Sequence, residues 1–301
     1  MNQEYMYQYK IKSDNSAILY RIYGTDMNIV LPKEIDGHPL SEIGPYCFSA
    51  SNHIPKDVLC TTLTDNLYEL CGNQVESVEF PNTIRSIGSH AFYNCKNLKQ
   101  ITISSSLQEL GYDAFVNATK LHDIYIQEHS STPTIIRYLL RQITWDVDIH
   151  FQDQTLFYPE YYEVYDEIGP AHIFGMNIQG EGFRLRQCIK NDIVHLEEYD
   201  SVFEKLCIEE SPKTLMHFAL IRSLQKPDLY KTYILEHQKD LLKIDLELSV
   251  IEHLLKHQAI TKESFDTLLT QSESPQRTTQ LIAWKKKYFS IQKSTYSFED
   301  F

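Results

Sequence analysis

An α/β solenoid of stacked coils followed by an all-α domain is the architecture this sequence predicts. Three observations predict it: an internal repeat at a fixed offset, a strand-like alternation inside each repeat, and a switch after Phe183 to capped helical segments. The repeat is direct. Ile84, Ile87, Gly88, Ala91, Phe92, Cys95, Leu98, Ile101 and Ile103 align with Leu107, Leu110, Gly111, Ala114, Phe115, Ala118, Leu121, Ile124 and Ile126, each 23 residues on. All of these positions are apolar or glycine, and a period in this range is the signature of a solenoid.

One unit can be read from its letters. The stretch Leu98–Ile103 alternates apolar and polar, the period of a half-buried strand, so Ile101 and Ile103 point inward and Gln100 and Thr102 outward. A turn at Ser104–Ser106 follows, then Leu107, Leu110 and Gly111, the glycine being expected to supply a left-handed backbone. Ala114 beside Phe115 sets a small residue next to an aromatic plug, which lets successive coils stack closely. A lone unit cannot bury this face, so neighbours must cover it.

The pattern from Ile84 to Ile103 resembles the BspA-like class of bacterial leucine-rich repeats. The N-terminal stretch resembles the family's first coil, in Tyr23-Gly24, Ile29–Pro32, Ile35–Gly37 and Leu40–Phe48. Cys47 stands where Ala91 and Ala114 stand, and Ala118 where Cys95 stands; both departures keep a small apolar volume. The resemblance implies an α/β leucine-rich repeat solenoid, curved and used for protein recognition, with no catalytic residues to carry over.

The period breaks between Phe48 and Val75, giving an expected insertion over 49–74, within which Ile54–Leu63 reads as a short helix or an irregular bulge. It resumes at Val75, Val78 and Phe80, one repeat before Leu98, Ile101 and Ile103. Adding 23 to Ile124 and Ile126 gives Val147 and Ile149, the expected last strand. Thr134–Gln142 reads as an amphipathic helix after Pro133 that closes the stack. The solenoid is thus expected over 1–151.

Residues 152–182 change character. Leu156–Tyr165 is crowded with aromatics and acids, and Gly169-Pro170, Gly175, Gly180 and Gly182 punctuate the rest, so this span reads as a connector packing against its neighbours, with a partner-binding segment rich in Tyr anchors the alternative. Gly180-Glu181-Gly182 lacks the Lys and Ser/Thr of a phosphate loop. From 183 to 301 the pattern is helical. Ser211-Pro212 caps and opens one helix, Pro227 the next, Thr261 a later one and Ser274-Pro275 the last; Ile244, Leu248, Ile251 and Leu255 form a stripe on a long helix. These paired helices resemble degenerate ankyrin-type repeats, with Thr214–Ala219 a distorted signature; a generic bundle is the alternative.

Composition limits function. The chain has 301 residues, 42% hydrophobic and 23% charged, with net charge −13, which argues against nucleic acid held through its phosphates. No apolar run approaches membrane-spanning length, and Met1–Lys10 does not read as a signal peptide, so a cytoplasmic protein is expected. Cys47, Cys60, Cys71, Cys95, Cys188 and Cys207 form no Cys-x-x-Cys pair and are read as reduced thiols, Cys47 and Cys95 in the core. His253 and His257 share a helical face, but no third ligand is visible and Leu254 replaces the metalloprotease Glu, so they are read as exposed; no cofactor and no metal are expected. His172, His195 and His217 stand outside any nucleophile motif.

The expected job is a non-catalytic intracellular interaction scaffold or adaptor. A cell-surface adhesin is one alternative, and an enzyme with a site at the Phe157–Arg186 junction another. If the strands alternate as described, two outward ladders arise at the 23-residue step: Ser77, Gln100, Asp123, Asp146, and Glu79, Thr102, Tyr125, Asp148. This face becomes more acidic along the stack and carries one large aromatic, Tyr125. A protein partner with a basic segment is the expected occupant.

Overall fold

The structure is a computed structural model, and the residues it describes are 5–51, 53–61, 66–168 and 173–289. His172, Gly169-Pro170 and the tail after Ile291 lie outside them. Contacts divide the chain into two compact units, Met1–Glu210 and Ser211–Phe301.

The first unit opens with an antiparallel hairpin, β1 (Met6–Ile11) and β2 (Ala17–Gly24). After β3 (Asn28–Val30) and the short β4 (Glu34–Ile35), β5 (His38–Ile43) pairs in parallel with β2. Among its described residues the expected insertion forms no α-helix. It contributes β6 (Leu59–Cys60), which pairs antiparallel with β1, and β7 (Tyr68–Glu69), which pairs antiparallel with β2. Buried Arg21 sews it down, donating to the carbonyls of Cys47 (3.0 Å), Ser49 (2.5 Å) and Ser51 (3.2 Å), with Glu69 3.0 Å from its Nε.

The coils then repeat: β8 (Ser77–Glu79), β9 (Ser86–Ile87), β10 (Gln100–Ile103), β11 (Glu109–Leu110) and β12 (Asp123–Ile126). Helix α1 (Ile136–Gln142) leads to β13 (Val147–His150), and β14 (Thr155–Tyr158) turns back antiparallel on it. One six-stranded sheet has the order β14-β13-β12-β10-β8-β3, all parallel except for β14. A second sheet carries β11, β9, β5, β2, β1 and β6, so the segment after each turn is itself a short strand.

Between the sheets lies the core that the repeat requires. Every predicted core position is buried except Leu110, Gly88 and Gly111, which are half-buried. Phe48, Phe92 and Phe115 stack ring on ring, with centroids 4.7 and 5.2 Å apart and planes within 11° and 8° of parallel. Cys47 and Cys95 are buried as expected, and burial pushes the Cys95 thiol up to about 12. All six cysteines are free.

The repeat glycines serve a different purpose from the one expected. Neither Gly88 nor Gly111 has a positive φ; His90, Asn94, Asp113 and Asn117 take the left-handed backbone instead. What the glycines permit is close approach of one coil to the next. A Cβ on Gly111 would sit 2.2 Å from Ser89 N, and one on Gly88 2.6 Å from Pro45 N. The Gly111 and Gly88 amides donate at 2.7 Å to the carbonyls of Ile87 and Ile43 in the preceding coil.

The first unit continues past residue 151 because the supposed connector is built into it. β14 buries Leu156, Phe157 and Tyr158. A hairpin follows, β15 (Tyr162–Ile168) and β16 (Ile173–Gln179), then α2 (Gly182–Gln187). A second hairpin, β17 (Ile189–Lys190) and β18 (Ile193–Val194), interrupts the stretch expected to be helical; its Asn191-Asp192 turn has both residues at positive φ, the geometry of a two-residue hairpin turn. Helices α3 (Leu196–Ser201) and α4 (Phe203–Glu209) end the unit. Buried Arg186 holds the closure together, donating to the carbonyls of Pro159 (2.7 Å), Gly182 (2.9 Å), Ile143 (2.9 Å), Leu140 (3.3 Å) and Trp145 (3.3 Å).

Every regular element among the second unit's described residues is a helix. Ser211 caps α5 (Pro212–Ser223), accepting from Thr214 N, and Thr261 caps α9 (Lys262–Thr270), accepting from Ser264 N. Between them lie α6 (Pro227–Glu236), α7 (Gln238–Leu241) and α8 (Leu248–Lys256); α10 (Pro275–Phe289) is last. The expected long helix does not form, because Ile244 precedes α8 outside any helix and only Leu248 onward is helical. His253 and His257 are half-buried rather than exposed, with ring centroids 4.5 Å apart.

Candidate functional site

The outward residues of the six-stranded sheet form the candidate site. Parallel pairing places Gln100 beside Ser77 and Asp123, and Thr102 beside Glu79 and Tyr125, as the 23-residue step requires. The next step is different. Asp123 pairs with Asp148, Ile124 with Ile149 and Tyr125 with His150, an offset of 25. The ladders are therefore Asn28, Ser77, Gln100, Asp123, Asp148 and Val30, Glu79, Thr102, Tyr125, His150.

Two expected placements need correction. Asp146 is not on the ladder; it precedes β13 and accepts a hydrogen bond from the Glu160 backbone N–H at 2.8 Å. Asp148 is one rung away from its expected place, beside Asp123 instead of Tyr125. The physical reason is the last coil, which replaces the Ala-Phe turn by α1 and the Trp145 segment and so uses two more residues. An even slip preserves the inward and outward alternation, so Val147 and Ile149 are buried as expected.

The corrected register brings together a cluster that the sequence reading missed. Among the described residues, Asp123, Asp148 and His150 are the one group of three whose ligand-type atoms all lie within 4.8 Å of one another. His150 Nε2 donates to Asp123 Oδ1 at 2.7 Å, and its Nδ1 lies 3.1 Å from Thr155 Oγ1 on β14. His122 Nδ1 sits 2.7 Å from the other oxygen, Asp123 Oδ2. Burial by itself would raise the Asp123 carboxyl, but the His150 and His122 contacts outweigh it and hold the group below its usual range. The Tyr125 ring stacks on His150 with centroids 4.4 Å apart and is 38% exposed. The alternation Val147-Asp148-Ile149-His150 was the available signal; only an assumed constant step hid it.

The Phe157–Arg186 junction, the place allotted to an enzyme's site, is built around a saturated guanidinium. Arg137, Tyr161, Glu163, Phe183 and Arg186 line a cleft of about 350 Å³ there. Arg186 directs its donors to five backbone carbonyls, lies 4.9 Å from the Tyr161 ring centre, and is lowered by burial to about 10, which leaves it charged. Its geometry is that of a structural clasp.

Comparison with known proteins agrees with this architecture. Residues 61–154 match the family model described as the BspA type leucine rich repeat region, in six copies. That segment is a BspA-type leucine-rich repeat region. A leucine rich cell surface protein from Faecalibacterium prausnitzii A2-165 is similar in structure at 21% identity, covering 48% of this chain and 40% of that chain, with a TM-score of 0.29. A leucine rich repeat protein of T. pallidum is similar at 17% identity, covering 46% of this chain and 77% of that chain, with a TM-score of 0.25. No curated protein matches the chain. The match to the repeat family ends before the helical unit begins, so the ankyrin-type resemblance rests on the sequence alone. Among the described residues no helix is long and apolar enough to cross a membrane.

Proposed function

We propose that the chain is a non-catalytic protein-binding scaffold that receives a basic segment of its partner on the outward face of the six-stranded sheet. The observation that carries this reading is the pair of continuous ladders running from β3 to β13, which sets side chains from successive strands side by side. Leucine-rich repeats generally bind proteins. Exposed Tyr125 provides an aromatic anchor, and Glu79, Asp123 and Asp148 give the face its acidic character. The second unit offers another surface to a second partner. Six free thiols fit a reducing compartment inside the cell, and fractionation of the native cell tests that placement.

The test of the docking face is partner recovery by the full-length chain carrying Glu79→Ser and Tyr125→Ala together. Recovery should fall at least tenfold with the melting curve unchanged. The wild-type complex should also weaken with added salt, because charges on an open face are screened over about 8–10 Å at physiological ionic strength. Undiminished recovery by the folded double variant removes this face from consideration.

A further inference from the structure

We infer that Asp123, Asp148 and His150 form a binding site for a divalent transition metal of the zinc class at the β12–β13 end of the sheet. The donor set suits such an ion: two carboxylates and an imidazole are ligands zinc takes, and the imidazole favours it over magnesium or calcium. The spacing suits it too. Bonds of about 2.0–2.1 Å to a tetrahedral ion place ligand atoms about 3.3 Å apart. Here the His150–Asp123 pair is at 2.7 Å and the whole set lies within 4.8 Å, so small side-chain rotations bring all three atoms onto one ion. Three protein ligands leave a fourth position open to water, as in zinc sites that exchange a ligand.

Two features outside the donor set point to a cation. Asp123 and Asp148 are direct cross-strand neighbours, so their carboxylates emerge side by side on the face that carries His150. Inward Ile124 and Ile149 lock the register, so the strands cannot slide to separate the carboxylates. The second feature is the support around the ligands. Thr155 Oγ1 lies against the far nitrogen of His150, and His122 against the far oxygen of Asp123, the outer-shell contacts that orient metal ligands. On binding, the proton that Nε2 donates to Asp123 moves to Nδ1, where it is donated to Thr155 Oγ1, and the Nε2 lone pair turns to the metal. The site stands whether or not the face docks a protein.

The experiment is calorimetric titration of ZnCl2 into chelator-stripped full-length protein without any partner, repeated with cobalt to read its visible ligand-field absorption. One equivalent of zinc should bind. Affinity should fall at least tenfold in Asp148→Asn and in His150→Gln, and about tenfold in Thr155→Val, while calcium should not compete. Melting curves establish that the variants fold, and His253→Ala/His257→Ala controls for the other histidine pair. Three results overturn the inference: no zinc uptake by the stripped protein, uptake unchanged in both folded ligand variants, or uptake abolished by the histidine control.

Discussion

The middle coils and the last coil solve one problem in two ways. In the middle coils a glycine lets backbone approach backbone, an Ala-Phe pair fills the gap, and Phe48, Phe92 and Phe115 stack in register. The last coil has none of these residues. It fills the same position with α1, whose Ile136, Leu139 and Leu140 are buried, and closes with Arg186 donating hydrogen bonds to the carbonyls of Ile143, Pro159 and Gly182. A stack can thus propagate with a tight repeating turn but must end with something larger, because its final backbone groups have no neighbour to bond. The cost is a longer step, and the longer step is what places Asp148 beside Asp123.

The contrast breaks most severely at the aromatic stack. Phe92 touches rings on both sides and is fully buried, so Phe92→Ala should cost about 3–5 kcal/mol, measured by denaturant unfolding. A loss below about 1 kcal/mol would mean that the ring column does not bear the core. Gly111→Ala tests the close approach next. The new methyl meets Ser89 backbone, which cannot swing aside as a side chain can, and a loss of about 1–3 kcal/mol is expected. A neutral Gly111→Ala would show that the coils have room to part.

Most of the repeat was readable from sequence because inward positions are apolar, outward ones polar, and the step is constant from Val78 through Ile124. The rest was hidden for physical reasons. Glycine tolerates both positive φ and tight approach, and its letter alone does not say which of the two is used. The Leu156–Tyr158 strand carries three consecutive buried residues, so no alternation marks it as an edge strand. The metal cluster depended on a register that changes only where the turn chemistry changes, at α1. Arg186 shows no partner in sequence because its partners are carbonyls.

The register itself can be sharpened by coupling. If Asp123 faces Asp148 and not Asp146, a double-mutant cycle of Asp123→Asn with Asp148→Asn in metal-free protein should show a coupling of about 0.2–1 kcal/mol. The cycle with Asp146→Asn should show none. Coupling to Asp146 in place of Asp148 would restore the constant 23-residue step.

The smallest effect lies in the loop that joins the last two strands. Asp153 receives the Ser130 N–H on Oδ1 and the Ser130 hydroxyl on Oδ2, both at 2.7 Å. Burial alone would raise its carboxyl, but these hydrogen bonds outweigh burial and hold it below the usual range. With the folded-state value depressed, the unfolded chain takes up the proton first as pH falls. The stabilisation is therefore complete above the unfolded value of about 3.9 and is lost as pH drops through the folded one. Because the group is largely open to solvent, the contribution is below about 1 kcal/mol. Asp153→Asn should melt slightly below the wild-type protein at pH 6, and the gap should narrow as pH falls below about 4. A gap that persists unchanged at pH 3 would show that hydrogen-bond geometry, and not the carboxylate charge, fastens the loop of the last coil.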